Sequence, residues 1–256
     1  MLVRDDPDLH VFMLRRNLNA DWVGGAYVFP GGALDPSDRD PAVLARCPDR
    51  TDADASALLG LARGGLGYWV AAVRETFEEA GVLLARGADG ALVDPSDPRF
   101  GMARDELNVG TATFPDLLER DDLHLNVGSL HVFSHWITPA GMPRRYDTWF
   151  FVAEAPDGHA YSHDDGETVA SIWVRPADAL AAADRGELEV IFPTRKNLEA
   201  LARFTTTASL VAALESALDV PPATQPRIVA EPSGGTRLLL PGDVGYDDLT
   251  RDEGVA

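Results

Sequence analysis

Three glutamates within five residues are the first place in this chain where side chains could do chemistry together. Glu75, Glu78 and Glu79 are spaced at i, i+3 and i+4, which puts them on one face of a helix. Like charges at that spacing repel each other by roughly 0.2–0.5 kcal/mol per pair, and no lysine lies between them. Carboxylate oxygens are ligands that hard divalent cations prefer. The spacing therefore predicts a helix that presents a carboxylate cluster to such a cation.

The helix that must carry this cluster is predicted over residues 69–80. Val70, Val73, Phe77 and Ala80 supply an apolar stripe on the side away from the glutamates, so the helix is expected to pack against a core. Gly81 follows as a natural left-handed stop. The alternative interpretation of the three glutamates is an ordinary solvated helix face.

A glycine-rich turn lies upstream of this helix. Residues 29–32 read Phe-Pro-Gly-Gly after a brief strand, and such turns let a backbone approach a ligand or ion closely. A buried strand is predicted at residues 9–14, so near residue 1 that any strand before it should be short or incomplete. Residues 35–67 are rich in Asp, Arg, Ala, Pro and Gly, and one short helix is expected there near residues 55–62.

The remaining elements follow from periodicity and from turn residues. Residues 82–85 are expected to continue as a strand after the glutamate helix. Further strands are predicted at residues 129–137, 146–154 and 167–174, and helices at 97–108, 114–120, 193–204 and 206–218 and from Pro176. Residues 221–226 have the composition of a linker, and residues 227–230 and 236–240 flank Ser233-Gly234-Gly235 as a hairpin. Strands and helices without regular βαβ alternation favour an α+β fold.

The order of these residues resembles a known sequence motif. Gly32, Arg74 and the three glutamates with Gly81 and Val82 are similar to the motif of the Nudix hydrolases, G-x5-E-x7-R-E-U-x-E-E-x-G-U. The second half matches except at Thr76, where the family usually has an aliphatic residue. In the first half, Asp38 stands where the family has a glutamate, and 35 residues instead of seven separate it from Arg74, an insertion of 28.

The interrupted motif points to one branch of that family. Residues 14–16, 25–35 and 74–84 look like the branch that includes the peroxisomal coenzyme A diphosphatases, which also carries an insertion inside the motif. The similarity continues through residues 136–139, 144–148 and 192–194. It implies a Nudix-type α/β/α sandwich with a mixed sheet. Residues 1–205 would form the Nudix domain with an insertion at about 39–68, and residues 206–256 a C-terminal extension of helix, linker and hairpin.

The resemblance also implies roles for individual residues. Glu75, Glu78 and Glu79 would bind two or three Mg²⁺ or Mn²⁺ ions, the carbonyl of Gly32 would complete one site, and Glu75 or Glu79 would also polarise the attacking water. Arg74 would hold a glutamate in position by a bidentate contact.

Four further residues carry open alternatives. Glu167 resembles a glutamate that many members use as an extra metal ligand or base, and the alternative is a surface residue at a strand entry. Asp38 could reach the site in place of the usual glutamate, but as a shorter carboxylate beside an insertion it is interpreted as structural. Arg144 and Arg145 stand at a strand start, where they would meet substrate phosphates or remain solvated.

Composition limits the partners and the compartment. The net charge of −19 and the pI near 4.5 argue against non-specific binding to nucleic acid or to anionic membranes. A solitary Cys47 excludes an intramolecular disulfide, and no signal peptide or membrane-length apolar run is seen, so we expect a cytoplasmic protein. The chain has no P-loop motif, no pair of cysteines for zinc and no Gly-x-Ser-x-Gly elbow.

The expected function is hydrolysis of a small-molecule nucleoside diphosphate linked to another group. From the branch resemblance, the preferred substrate is coenzyme A or an acyl derivative, cut to 3′,5′-ADP and a phosphopantetheine. ADP-ribose, NADH or a sugar nucleotide is the alternative substrate class, and a catalytically silent ligand-sensing module is the alternative function. A homodimer is common in the family, so the resemblance allows one.

Overall fold

The computed structural model describes residues 1–18, 23–94, 97–157, 167–217, 219–231 and 235–248. The chain forms two compact units, the first made of Met1–His131 with Phe151–Val220 and the second of Val132–Phe150 with Pro221–Ala256. The division into domains at residue 205 stays a prediction.

Short helices and strands are interleaved along the chain. The helices in the described residues are α1 (Pro41–Leu44), α2 (Asp52–Leu58), α3 (Leu66–Ala80), α4 (Pro98–Asn108), α5 (Phe114–Arg120), α6 (Pro176–Asp184), α7 (Phe192–Leu201) and α8 (Thr207–Ser216), with 3₁₀ turns at Pro36–Arg39 and Val127–Ser129. The strands are β1 (Leu2–Asp5), β2 (Leu9–Arg16), β3 (Tyr27–Val28), β4 (Ala85–Arg86), β5 (His124–Leu125), β6 (His131–Ile137), β7 (Asp147–Glu154), β8 (Thr168–Val174), β9 (Ala223–Thr224), β10 (Arg227–Ala230) and β11 (Thr236–Leu239).

Strand β2 organises the sheet of the first unit. Strand β8 pairs along one edge of β2, and β1 and β3 share its other edge, all antiparallel to it. Strand β1 also pairs in parallel with the end of β7. Five residues of β2 are buried, because its apolar run is covered on both faces. The mixed sheet with surrounding helices confirms the predicted α+β fold.

Helix α3 packs its apolar stripe into the core of the same unit. Val70, Val73, Phe77 and Ala80 are each no more than 1% exposed, as the periodicity predicted. Gly81 adopts the left-handed conformation (φ 71°) and ends the helix, also as predicted.

A residue of the insertion caps the N-terminus of helix α3. Gly65 occupies the N-cap position and offers no side chain to the first amides of α3. Asp52 of α2 takes that role, since its carboxylate accepts hydrogen bonds from the Leu66 and Gly64 amides at 3.0 and 2.9 Å.

In the second unit, β6 pairs in parallel with β9, and β10 and β11 form an antiparallel hairpin. Both predicted hairpin strands are therefore confirmed, while Ser233 and Gly234 of the predicted turn lie outside the described residues. Residues 221–226 were predicted as a linker, and this was wrong for Ala223 and Thr224, which find main-chain partners in β6.

Several boundaries in the first unit also differ from the predictions, since α3 begins at Leu66 rather than at residue 69 and α7 ends at Leu201 rather than at residue 204. The predicted strand at residues 82–85 is wrong for residues 82–84, and only Ala85 and Arg86 pair, with β5. Helix α2 begins at Asp52 rather than near residue 55, because Thr51 and Asp54 form a capping box that starts it earlier. Across the part of the chain that the structure describes, no helix is long and apolar enough to cross a membrane.

Candidate active site

Arg74 is the residue on which the candidate site is assembled. Its side chain is 10% exposed. One terminal nitrogen, Nη1, donates to Glu75 Oε1 at 2.7 Å and to Glu78 Oε2 at 3.1 Å. The other, Nη2, donates to the carbonyl of Ala33 at 2.9 Å and thereby ties the helix to the chain that follows the glycine turn. Arg74 therefore joins both halves of the interrupted motif.

The bidentate partner of Arg74 is Asp38, whereas the sequence predicted a glutamate. Nε and Nη2 of Arg74 donate to the two oxygens of Asp38 at 2.9 and 3.0 Å, and Asp38 is 1% exposed. The Asp35 amide also donates to Asp38, at 2.7 Å. The 3₁₀ turn Pro36–Arg39 packs on α3, so the short aspartate already faces the guanidinium. Its position on Arg74 agrees with the structural interpretation of Asp38.

Glu79 lies between the helix and the glycine turn. Its Oε2 accepts a hydrogen bond of 2.9 Å from the Gly31 amide, and the residue is 7% exposed. Burial, together with the negative charges of Glu75 and Glu167, raises the pKa of Glu79 to about 8, although the hydrogen bond from the Gly31 amide lowers it. This carboxylate therefore stands in a place that disfavours negative charge unless a cation is near.

Glu75 lies directly against Gly32. A Cβ atom at Gly32 would stand 2.5 Å from Glu75 Oε1 and 2.6 Å from Oε2, so only glycine fits beside this carboxylate. Burial also raises the pKa values of Glu75 and Glu78, although the charge of Arg74 opposes the shift.

The donor set suits a hard divalent cation. Three crowded carboxylates with raised pKa values lie beside a glycine turn, and a cation would relieve the cost of their charges. In this structure each glutamate accepts a hydrogen bond from a protein donor. Within the described ranges, no three acidic, histidine or cysteine side chains are placed so that they could hold a metal ion together as they stand.

The structure also locates the other predicted site residues. Glu167 is exposed at the entry to β8, and its charge acts on Glu79. The Asn17 amide donates to its carbonyl at 2.8 Å, which fixes its backbone beside the end of β2. Arg144 and Arg145 belong to the second unit, where Arg144 is exposed and Nε of Arg145 donates to the Thr138 carbonyl at 3.2 Å.

One contact at the site was missed by the sequence reasoning. Arg104 of α4 donates from Nε to the carbonyl of Glu78 at 2.9 Å and from Nη2 to the carbonyl of Glu79 at 2.8 Å. No local pattern around residue 104 signals this contact, since its partners lie 25 and 26 residues upstream.

Comparisons with known proteins identify a matching family model and related sequences. Residues 48–201 match the family model described as the NUDT19 Nudix domain. The chain is 30% identical over 271 residues to the acyl-coenzyme A diphosphatase NUDT19 of Homo sapiens, an alignment that covers 92% of this chain and 72% of that protein. It is 28% identical over 280 residues to the acyl-coenzyme A diphosphatase NUDT19 of Gallus gallus, covering 94% and 74%.

A solved structure is similar in fold as well as in sequence. The crystal structure of a NUDIX hydrolase from Alicyclobacillus acidocaldarius superposes with a TM-score of 0.70 at 27% identity. The match covers 86% of this chain and 95% of that one, so the resemblance extends well beyond the motif.

Proposed function

Because the chain belongs to the Nudix hydrolase family, we propose that it is a Mg²⁺- or Mn²⁺-dependent diphosphatase whose preferred substrate is coenzyme A or acyl-coenzyme A. The observation that carries the proposal is the set of Glu75, Glu78 and Glu79 gathered beside the Gly31–Gly32 turn. Two relatives that bear the name acyl-coenzyme A diphosphatase align with more than nine-tenths of the chain and support the substrate class.

The three glutamates and the carbonyl of Gly32 would hold the cations. Bound Mg²⁺ or Mn²⁺ would neutralise diphosphate oxygens and make a water molecule more acidic. Glu79 can bind a cation only when it is ionised, and its buried position makes the cation and the proton compete for the same oxygens. Arg74 keeps Glu75 and Glu78 oriented and is shielded from solvent, so its role is to position them.

The reaction needs one base and one leaving group. A water oxygen attacks a phosphorus of the diphosphate, the bond from that phosphorus to the bridging oxygen breaks, and the water gives up a proton. Glu75, Glu79 or Glu167 would accept that proton, since all three belong to one interacting group of carboxylates. The products of coenzyme A would be 3′,5′-ADP and phosphopantetheine, or acyl-phosphopantetheine from an acyl derivative.

A substrate panel tests this proposal. Purified protein with Mn²⁺ is incubated separately with acyl-coenzyme A, coenzyme A, ADP-ribose, NADH and a sugar nucleotide, and kcat/KM is measured for each. We expect the two coenzyme A substrates to be cleaved fastest. A preference for ADP-ribose or NADH would overturn the substrate assignment, and binding without cleavage on the whole panel would indicate a ligand-sensing module.

A matched pair of variants tests the metal assignment. Glu78→Gln should lower kcat by at least about 10²-fold, because even residues that only support metal ligands commonly cost 10- to 100-fold. Glu106→Gln is the control, since this glutamate lies on α4 and is paired with Arg120 at 2.8 Å. Near-normal turnover of Glu78→Gln would remove that residue from the metal site.

The substrate contacts remain part of the same proposal. We propose Arg144 and Arg145 as contacts to substrate phosphates, because a guanidinium binds phosphate through two parallel hydrogen bonds. Arg144→Ala should then raise KM for coenzyme A while leaving the affinity for Mn²⁺ unchanged. An unchanged KM would leave Arg144 as a solvated surface residue.

A further inference from the structure

The last turn of α3 carries two of the proposed metal ligands, and helix ends are where backbone order is usually lowest. The final four carbonyls of a helix have no partner within the helix itself. At this end, the Gly81 amide donates to the Phe77 carbonyl at 3.0 Å and the Val82 amide donates to the Thr76 carbonyl at 3.4 Å. These bonds leave the carbonyls of Glu78 and Glu79 to be satisfied by another element.

Arg104 donates to both of them, and Asn108 Nδ2 adds a longer hydrogen bond of 3.4 Å to the Glu78 carbonyl. Nε of Arg104 donates to Glu78 O at 2.9 Å and its Nη2 donates to Glu79 O at 2.8 Å. A guanidinium presents these two donors in a rigid plane, so the two consecutive carbonyls are held in a fixed relation to each other. Its positive charge also favours this end of the helix, where the dipole is negative.

Helix α4, which carries Arg104, is held in place by an N-terminal cap and by buried side chains. Asp97 caps its start by accepting a hydrogen bond from the Arg99 amide at 3.0 Å. Phe100 and Ala103 are 5% and 1% exposed, so the helical turn that precedes Arg104 is packed in the core.

We propose that Arg104 is a positioning residue for the metal site, which acts by clamping the main chain of Glu78 and Glu79. The direction of a side chain follows its backbone, so a shift of these two residues moves both carboxylates away from the cation. This proposal rests on the metal site assigned above. It adds a residue outside the motif, on a separate helix, whose effect on catalysis passes through the backbone of α3.

The experiment compares Arg104→Ala, Arg104→Lys and the control Arg99→Ala. Arg99 lies on the same helix and pairs with Asp97 and Asp121 instead of α3. For each variant we would measure the Mn²⁺ dissociation constant by calorimetry, kcat and KM on the panel's best substrate, and hydrogen exchange of the segment 77–84 without metal. All measurements would be made below the unfolding temperature of the least stable variant.

Arg104→Ala should weaken Mn²⁺ binding and lower kcat by roughly 10- to 100-fold, the range known for residues that support metal ligands. Substrate KM should change little, and exchange should quicken in segment 77–84. Arg104→Lys can make only part of the double contact and should recover part of the loss, while Arg99→Ala should match the wild type.

Three outcomes separate this proposal from the proposed function. If wild-type protein binds Mn²⁺ and Arg104→Ala binds it equally well while folded, the clamp has no role in positioning. If Arg104→Ala does not fold, full Mn²⁺ affinity in Arg104→Lys together with unchanged exchange overturns the proposal. If wild-type protein binds no Mn²⁺ at all, the failure belongs to the proposed metal site.

Discussion

A single methyl group placed on Gly32 tests how closely the glycine turn and Glu75 depend on each other. Gly32 is not among the glycines with positive φ, so alanine can adopt its backbone conformation. The added Cβ would lie 2.5–2.6 Å from three atoms of the Glu75 carboxyl group. Because carbon atoms in contact normally stand roughly 3.5–4.0 Å from their neighbours, the carboxylate must withdraw by roughly 1 Å.

Moving the Glu75 carboxylate lowers the free energy of unfolding, because the carboxylate loses a contact. Moving Glu75 breaks its 2.7 Å hydrogen bond from Arg74, and a bond to a charged group contributes about 1.5–3 kcal/mol. The side chain is 13% exposed, so water replaces only part of that bond. We expect Gly32→Ala to lose about 2 kcal/mol of unfolding free energy, and a displacement of this size to lower kcat by about 10²-fold.

The assay pairs chemical denaturation with Mn²⁺ titration and turnover. Gly101→Ala is the matched control, because Gly101 lies inside α4 and a Cβ there would meet no atom within 4 Å. That variant should gain about 0.5–1 kcal/mol from the better helix propensity of alanine and keep full activity.

A double-mutant cycle tests whether the clash with the Glu75 carboxylate causes the loss of stability in Gly32→Ala. In a Glu75→Ala background the three clashing atoms are gone, so adding the methyl group at Gly32 should cost almost no stability. If Gly32→Ala costs the same in both backgrounds, or costs nothing in the wild type, the close fit between Gly32 and Glu75 does not explain this glycine.

Two further predictions concern the ion pair and the pH dependence. Asp38→Ala should lower the free energy of unfolding by about 3 kcal/mol, because it leaves the buried Arg74 without its bidentate partner; a wild-type denaturation midpoint and slope would contradict this. The pKa of Glu79 is raised to about 8, so its contribution to the stability of the metal-free protein is present at low pH and is lost as the pH rises through about 8. Mn²⁺ should therefore bind more tightly as the pH rises from about 6 to about 8, with release of a proton that calorimetry in two buffers detects. Glu79→Gln should make both the unfolding free energy and the Mn²⁺ affinity less dependent on pH. A wild-type Mn²⁺ affinity that does not change with pH would contradict this prediction.

Local patterns in the sequence were enough to predict the helix of the glutamates. Its apolar stripe and its glycine stop are set by residues within a few positions of each other, and the structure agrees with both. The hairpin strands and helices α4 and α5 were predicted within one residue of their ends for the same reason. The segment 82–84 was not, because strand formation needs a partner strand, and residue types alone do not supply one.

The composition and order of the motif therefore determined the family to which the chain belongs and which carboxylates we propose as metal ligands. Only the tertiary structure decided how those residues are held. Arg74 pairs with Asp38 across 36 positions, and Arg104 reaches Glu78 across 26. Such contacts depend on where the 3₁₀ turn and α4 dock on α3, and docking follows from packing of the whole core. The sequence is enough to predict the candidate ligands, and the fold sets the distances between them.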